Sequence, residues 1–138
     1  MTVVRSIDID APAPVVWELL TVFRYWPVWG PSVSGVQSDS ERVGPGVSGR
    51  VLTPVGVSVP FEITSFEEAV SWGWSVAGVR STGHRIDRTT DSSCRVSFSV
   101  PGWFAPYAVV LQLGLWKLAQ MASSADSLGT PDVDGDAV

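Results

Sequence analysis

Ser6–Val36, SIDIDAPAPVVWELLTVFRYWPVWGPSVSGV, holds a strand, a helix and an interrupted helix in immediate succession. Its first residues continue a weak alternation that starts at Val3 and reads as a strand. Val16, Leu19, Leu20 and Phe23 then recur at helical spacing, with Pro14 near the first turn, where a missing N–H does no harm. Pro27, Gly30 and Pro31 stop any long continuation, so RYWPVWGP, Arg24–Pro31, is at most a short, broken second helix. That piece is crowded with Tyr25, Trp26 and Trp29. Rings of this size belong in a core or a binding surface, since on a solvated loop they would expose a large apolar area.

Downstream the period changes to two. In VSVPFEITSF, Val57–Phe66, the side chains of Val57, Val59, Phe61 and Ile63 share one face and those of Ser58, Pro60, Glu62 and Thr64 the other. Gly56 separates this run from VSGRVLTPV, Val47–Val55, which predicts a hairpin. SWGWSVA (Ser71–Ala77), STGHRIDRT (Ser81–Thr89) and CRVSFSV (Cys94–Val100) read as three more strands, and Trp103–Ala125 as one long helix. Strand, two helical pieces, about six strands and a final helix make an α+β architecture rather than a βαβ sheet. Residues 1–126 are expected to form one domain and 127–138 an acidic, disordered tail.

Composition excludes several functions. The 138 residues carry a net charge of −5 with a single lysine, Lys117, and scattered arginines, so no basic surface for nucleic acid is expected. Cys94 is the only cysteine and His84 the only histidine, which leaves neither an internal disulfide nor a ligand set for a metal. GPGVSG, Gly44–Gly49, lacks the Lys-Ser/Thr of a phosphate loop and leads into a strand, so no cofactor is expected. Arg5, Asp8 and Asp10 interrupt any apolar leader, and a cytoplasmic location is the expectation. The last helix has one charge in about 20 residues, yet Pro106, Gln112, Lys117 and Gln120 argue against a membrane span.

The opening Ser6–Val36, the Trp72-Gly73-Trp74 and Gly83-His84-Arg85 triplets and the long terminal helix together resemble the START-like, or SRPBCC, superfamily in its polyketide cyclase/dehydrase branch. The resemblance covers about residues 3–125. It implies the helix-grip fold, in which a curved antiparallel sheet of about seven strands wraps a long C-terminal helix. Two short helices lie between strands 1 and 2, and an apolar cavity between sheet and helix. Members include lipid carriers, hormone receptors, aromatic polyketide cyclases and proteins with no known ligand.

In that frame Tyr25, Trp26 and Trp29 either line the cavity mouth or are plain core. Trp72 and Trp74 share a face with Val76 and are placed on the concave side, the alternative being a partner surface on the convex side. Cys94, Val96, Phe98 and Val100 form an inward row. An odd loop before it, for instance of three residues, turns Thr82, His84, Ile86 and Arg88 inward and Arg85 and Asp87 outward; a two-residue loop would reverse this and bury two charges. The expected ligand-binding set is Tyr25, Trp26, Trp29, Phe61, Trp72, Trp74, Thr82, Arg88, Phe98, Tyr107 and Leu111, with His84 the candidate catalytic residue or simply a hydrogen-bonded group at the cavity edge. Cys94 lies four to six residues along the strands from His84, too far for a dyad.

On the last helix Phe104, Ala108, Leu111, Leu115, Leu118 and Ala122 form the stripe that faces the sheet. Val109, Leu113 and Trp116 lie opposite, where they offer a homodimer contact, loose membrane-surface association or ordinary exposed residues. Three functions compete. The first is binding of a small hydrophobic or aromatic molecule, lipid or polyketide-like. The second is a polyketide cyclase or dehydratase with His84 as general base and Arg88 or Tyr107 stabilising an enolate. The third is a protein-interaction module using the last helix, which a cavity well under ~300 Å³ would favour.

Overall fold

The computed structural model describes residues 2–31 and 33–129, without the side chains of 104, 105 and 124–129. In chain order the elements begin with β1 (Thr2–Ile9), α1 (Ala13–Thr21), a 3-10 turn (Phe23–Tyr25) and α2 (Trp26–Trp29). Six strands follow: β2 (Gly35–Ser38), β3 (Ser48–Leu52), β4 (Ser58–Glu67), β5 (Ser71–Val76), β6 (Val79–Thr90) and β7 (Ser93–Pro101). A 3-10 segment (Gly102–Tyr107) leads into α3 (Ala108–Gly129). All seven strands form one antiparallel sheet in the order β1-β7-β6-β5-β4-β3-β2. This is the helix-grip α+β architecture. Because β1 and β2 are the two edges, α1 and α2 carry the chain across the whole sheet, and α3 returns to pack on β1, β7, α1 and α2.

The tryptophans of the opening stretch have a structural task at the end of α1. The last four carbonyls of a helix lack intrahelical partners and must be satisfied elsewhere. Glu18 O accepts the Val22 N–H and Thr21 O the Val43 N–H. The remaining two take indoles: Trp29 Nε1 donates to Leu19 O at 2.8 Å and Trp26 Nε1 to Leu20 O at 2.9 Å, both buried. The short α2 is thereby tied to α1, and phenylalanine could not replace either ring without stranding a carbonyl. Trp29→Phe is expected to cost about 1–3 kcal/mol in urea unfolding; an unchanged midpoint would mean that water serves Leu19 equally well.

His84 faces inward, by a route other than the expected one. The β6–β7 tip pairs Thr90 with Ser93 and leaves only Asp91 and Ser92 in the turn, but the register shifts between Arg88 and Thr90. This bulge at Thr89 restores the parity that a two-residue turn would have reversed, so that His84 pairs with Phe98 and Ile86 with Val96. Thr82, His84 and Ile86 are buried, while Arg85 and Asp87 form a solvent-facing ion pair at 3.1 Å.

Cys94, Val96, Phe98 and Val100 meet α3, whose Ala108, Leu111, Leu115, Leu118 and Ala122 are all buried. Three expectations need correction. Val57 does not share the inward row of Phe61 and Ile63: it sits in the β3–β4 turn, 54% exposed, and its carbonyl accepts from the Thr53 N–H. The final helix begins at Ala108 and not Trp103, since Pro106 holds the residues before it in a 3-10 segment. Third, α3 continues to Gly129, past the expected helix end at Ala125. Residues 130–138 of the expected acidic tail and the Phe104 side chain lie outside the described residues.

Candidate functional site

Between the concave face of the sheet, α2 and the first turns of α3 lies a cavity of about 50 Å³. The sheet contributes Trp72, Trp74, Thr82, His84 and Phe98 to its wall. Trp26, Trp29 and the chain after α2 close one side, and Tyr107, Val110, Leu111 and Gly114 close the other. Its volume is well below the ~300 Å³ of small-molecule pockets. It is also below the ~150 Å³ of an engineered cavity that admits benzene.

Aromatic packing explains the size. Trp72 stacks on Trp26, with centroids 5.2 Å apart and planes at 7°, and on His84, at 3.8 Å and 21°. Trp74 meets the edges of Trp26 and Trp72 at 5.3 and 5.8 Å, and Phe98 stands edge-on to His84 at 4.9 Å. These rings occupy the space that the curvature of the sheet creates.

The polar groups of the wall form one hydrogen-bonded chain. Trp74 Nε1 donates to Thr82 Oγ1 at 2.9 Å, and Thr82 Oγ1 lies 3.1 Å from His84 Nε2. His84 Nδ1 is 3.3 Å from the carbonyl of Trp72, which can only accept, so the proton is assigned to Nδ1 and the Thr82 hydroxyl donates to Nε2. Burial disfavours the imidazolium and pulls the His84 pKa down to about 3, against a smaller opposing contribution from the Trp72 carbonyl. His84 is therefore neutral near pH 7 and a weak base. Neither Asp87 nor Glu18 orients it, since Asp87 pairs with Arg85 and Glu18 with Arg42. One polar atom stays outside this chain: Trp72 Nε1 is buried with no hydrogen-bond partner among the described residues.

Of the expected site residues, Trp26, Trp29, Trp72, Trp74, Thr82, His84, Phe98, Tyr107 and Leu111 meet at the cavity, and three do not. Arg88 has the inward parity but lies beyond the cover of the helices, opposite Cys94, and its exposed guanidinium reaches Asp91 at 3.7 Å. Among the described residues that line the cavity none carries a counter-charge to hold a guanidinium there. Tyr25 is half-buried in the 3-10 turn before α2, where Arg24 lies over its ring at 4.7 Å and donates to its hydroxyl. Phe61 is buried one layer behind, against Phe23, Trp26 and Trp74.

The wall also includes Gly30, Pro31, Val33, Val110 and Gly114, which composition does not single out. Gly114 had a signal: it falls among the buried residues of α3, and a Cβ there would sit 3.6 Å from Pro31 and 3.7 Å from Phe98. Cys94 pairs with Arg88, away from His84, and its thiol pKa is raised to about 11, chiefly by burial. Among the described residues no three His, Cys, Asp or Glu side chains converge on a metal position, and no helix is long and apolar enough to cross a membrane.

Comparison with solved structures places the fold. XoxI from Bacillus cereus superposes with a TM-score of 0.70 at 16% identity, covering 88% of this chain and 95% of that one. A START superfamily protein from Mycobacterium smegmatis gives 0.67 at 15%, covering 89% and 97%. Norcoclaurine synthase from Thalictrum flavum, a point mutant bound to a transition-state analogue, gives 0.64 at 10%, covering 90% and 94%. At these identities the likeness is one of fold. No curated protein matches the chain in sequence. The family model described as polyketide cyclase / dehydrase and lipid transport matches residues 1–122, nearly the whole described chain, which therefore belongs to that family.

Proposed function

We propose that the protein binds a small apolar or aromatic molecule between the sheet and α3, in a site that the surrounding aromatic rings keep narrow. The observation that carries this reading is the composition of the wall: four indoles, His84 and Phe98 converge on one residual cavity, where a closed core would need only aliphatic packing. One side of the cavity is the single turn of α2 and the chain after it, so a ligand enters by displacing this short piece against the two indole bonds that tie it to α1. The displacement lowers affinity by the cost of opening. Carriage is favoured over cyclase chemistry because His84 Nε2 already accepts from Thr82 and a base with a pKa of about 3 is poorly matched to neutral pH.

A second reading has two observations in its favour. The cavity is small, and Val109, Leu113 and Trp116 leave an apolar face of α3 in solvent, with Trp116 53% exposed. In that reading α3 is a contact surface for a second copy or another protein, and the cavity is only core. One titration separates the two. A single-ring aromatic that does not absorb at the excitation wavelength is expected to change tryptophan emission in the wild type. Trp74→Phe should diminish the change and Trp116→Phe should leave it intact. Loss of the response in Trp116→Phe alone would move the binding surface to α3 and refute the cavity reading.

A further inference from the structure

The outer face of the sheet carries a second hollow, of about 170 Å³. Its floor is backbone: Gly73 and Gly83 are register partners on β5 and β6, and they alternate with the inward-facing Trp72, Trp74, Thr82 and His84. A Cβ on Gly73 would stand 2.8 Å from Ser65 Oγ, and one on Gly83 would stand 2.6 Å from Ser99 Oγ. A hydroxyl therefore overhangs the floor on each side, and a side chain at either glycine would fill the space between. Two bulges border the hollow: the register shifts between Ile63 and Ser65 on β4, and again between Gly73 and Ser75 opposite Arg80 and Gly83. Consecutive residues, Thr64 with Ser65 and Arg80 with Ser81, line it together, where regular strands would send them to opposite faces.

Arg80 is the one arginine whose guanidinium has no partner among the described residues. Arg42, Arg85, Arg88 and Arg95 hold carboxylates, and Arg5, Arg24 and Arg50 donate to neighbouring oxygens. Glu62 stands in the same row, beyond Ser75, and forms no ion pair with Arg80. No Asp or Glu is among the described residues that line the hollow. In a chain of net charge −5 this is a place where an anion meets a cation and hydroxyl donors, and no like charge in the walls.

We infer that this hollow binds the phosphate group of a phosphate monoester. The planar fork of Arg80 suits two phosphate oxygens, and the wall hydroxyls donate to the acceptors that remain. The site lies on the opposite face from the aromatic cavity and does not depend on a ligand there.

Amide resonances followed by NMR at pH 7 and constant ionic strength test it. Inorganic phosphate is expected to shift the Gly73 and Gly83 amides saturably. The exposed Arg80→Gln substitution is expected to weaken this binding about tenfold, the size of one hydrogen bond to a charged group. Should that variant fail to fold, the Arg80 Nε–H resonance of the wild type decides, since bound phosphate must shift it. Glycerol 3-phosphate and vesicles containing phosphatidate separate a soluble ester from a lipid headgroup, and a response to either at Gly73 and Gly83 supports the site. No shift of these amides by phosphate, unchanged affinity in Arg80→Gln, or an equal response to glucose would each overturn the inference while leaving the cavity reading untouched.

Discussion

Trp26→Ala is expected to destabilise the protein by about 3–5 kcal/mol, a large share of the ~5–15 kcal/mol that holds a domain folded. Trp26 is 2% exposed and stands at the centre of the aromatic cluster. It stacks on Trp72 and meets Phe23, Phe61 and Trp74 at centroid distances of 4.8, 6.1 and 5.3 Å. Alanine would remove these contacts, leave a void beside an existing cavity and strand the Leu20 carbonyl at the end of α1. Urea unfolding of the two proteins measures the difference. A cost below about 1 kcal/mol would mean that the rings around Trp26 are loosely packed in solution.

The second large effect is on pH dependence. In the folded protein His84 has a pKa of about 3 because it is buried, and in the unfolded chain it returns to its ordinary value near 6.5. Between these values the unfolded chain binds a proton that the folded one does not, so stability falls as pH falls. The stabilisation is fully present above pH 6.5 and is lost progressively toward pH 3, with a limiting slope of about 1.4 kcal/mol per pH unit. Over the whole window this single group is worth about 4 kcal/mol. His84→Gln removes the titration while keeping a polar side chain, so its stability curve should be flatter than that of the wild type by about 1 kcal/mol per pH unit between pH 6 and 4. Parallel curves would show that His84 is solvated in solution and not sealed under Trp72 and Phe98.

What could be read from the residues follows from how local each signal is. Proline and glycine placement marked the break between α1 and α2, and period-two alternation marked the sheet strands, because both depend on neighbours in the chain. The buried stripe of α3 was readable for the same reason, from Leu111, Leu115 and Leu118. The bulge at Thr89 was not readable: one extra residue in a strand leaves no mark in composition, and the inward orientation of His84 was reached through an odd loop that does not exist. Arg88 shows the limit of parity, which assigns a side of the sheet but not whether a helix covers that point. Val57 shows it again at a strand end. The capping of α1 by Trp26 and Trp29 and the small volume of the cavity arise from side chains meeting across the fold, and no spacing rule reports them.

The most direct test of cavity binding is a map of the seven indole N–H resonances during titration with ethylbenzene. Trp26, Trp29, Trp72 and Trp74 line the cavity, while Trp103 and Trp116 are exposed, and Trp17 lies apart with its N–H on Glu68. Saturating ligand is expected to shift the four cavity indoles and to leave those of Trp103 and Trp116 in place. Shifts confined to Trp103 and Trp116, or no shifts at saturation of the solvent with ethylbenzene, would contradict a ligand site between the sheet and α3.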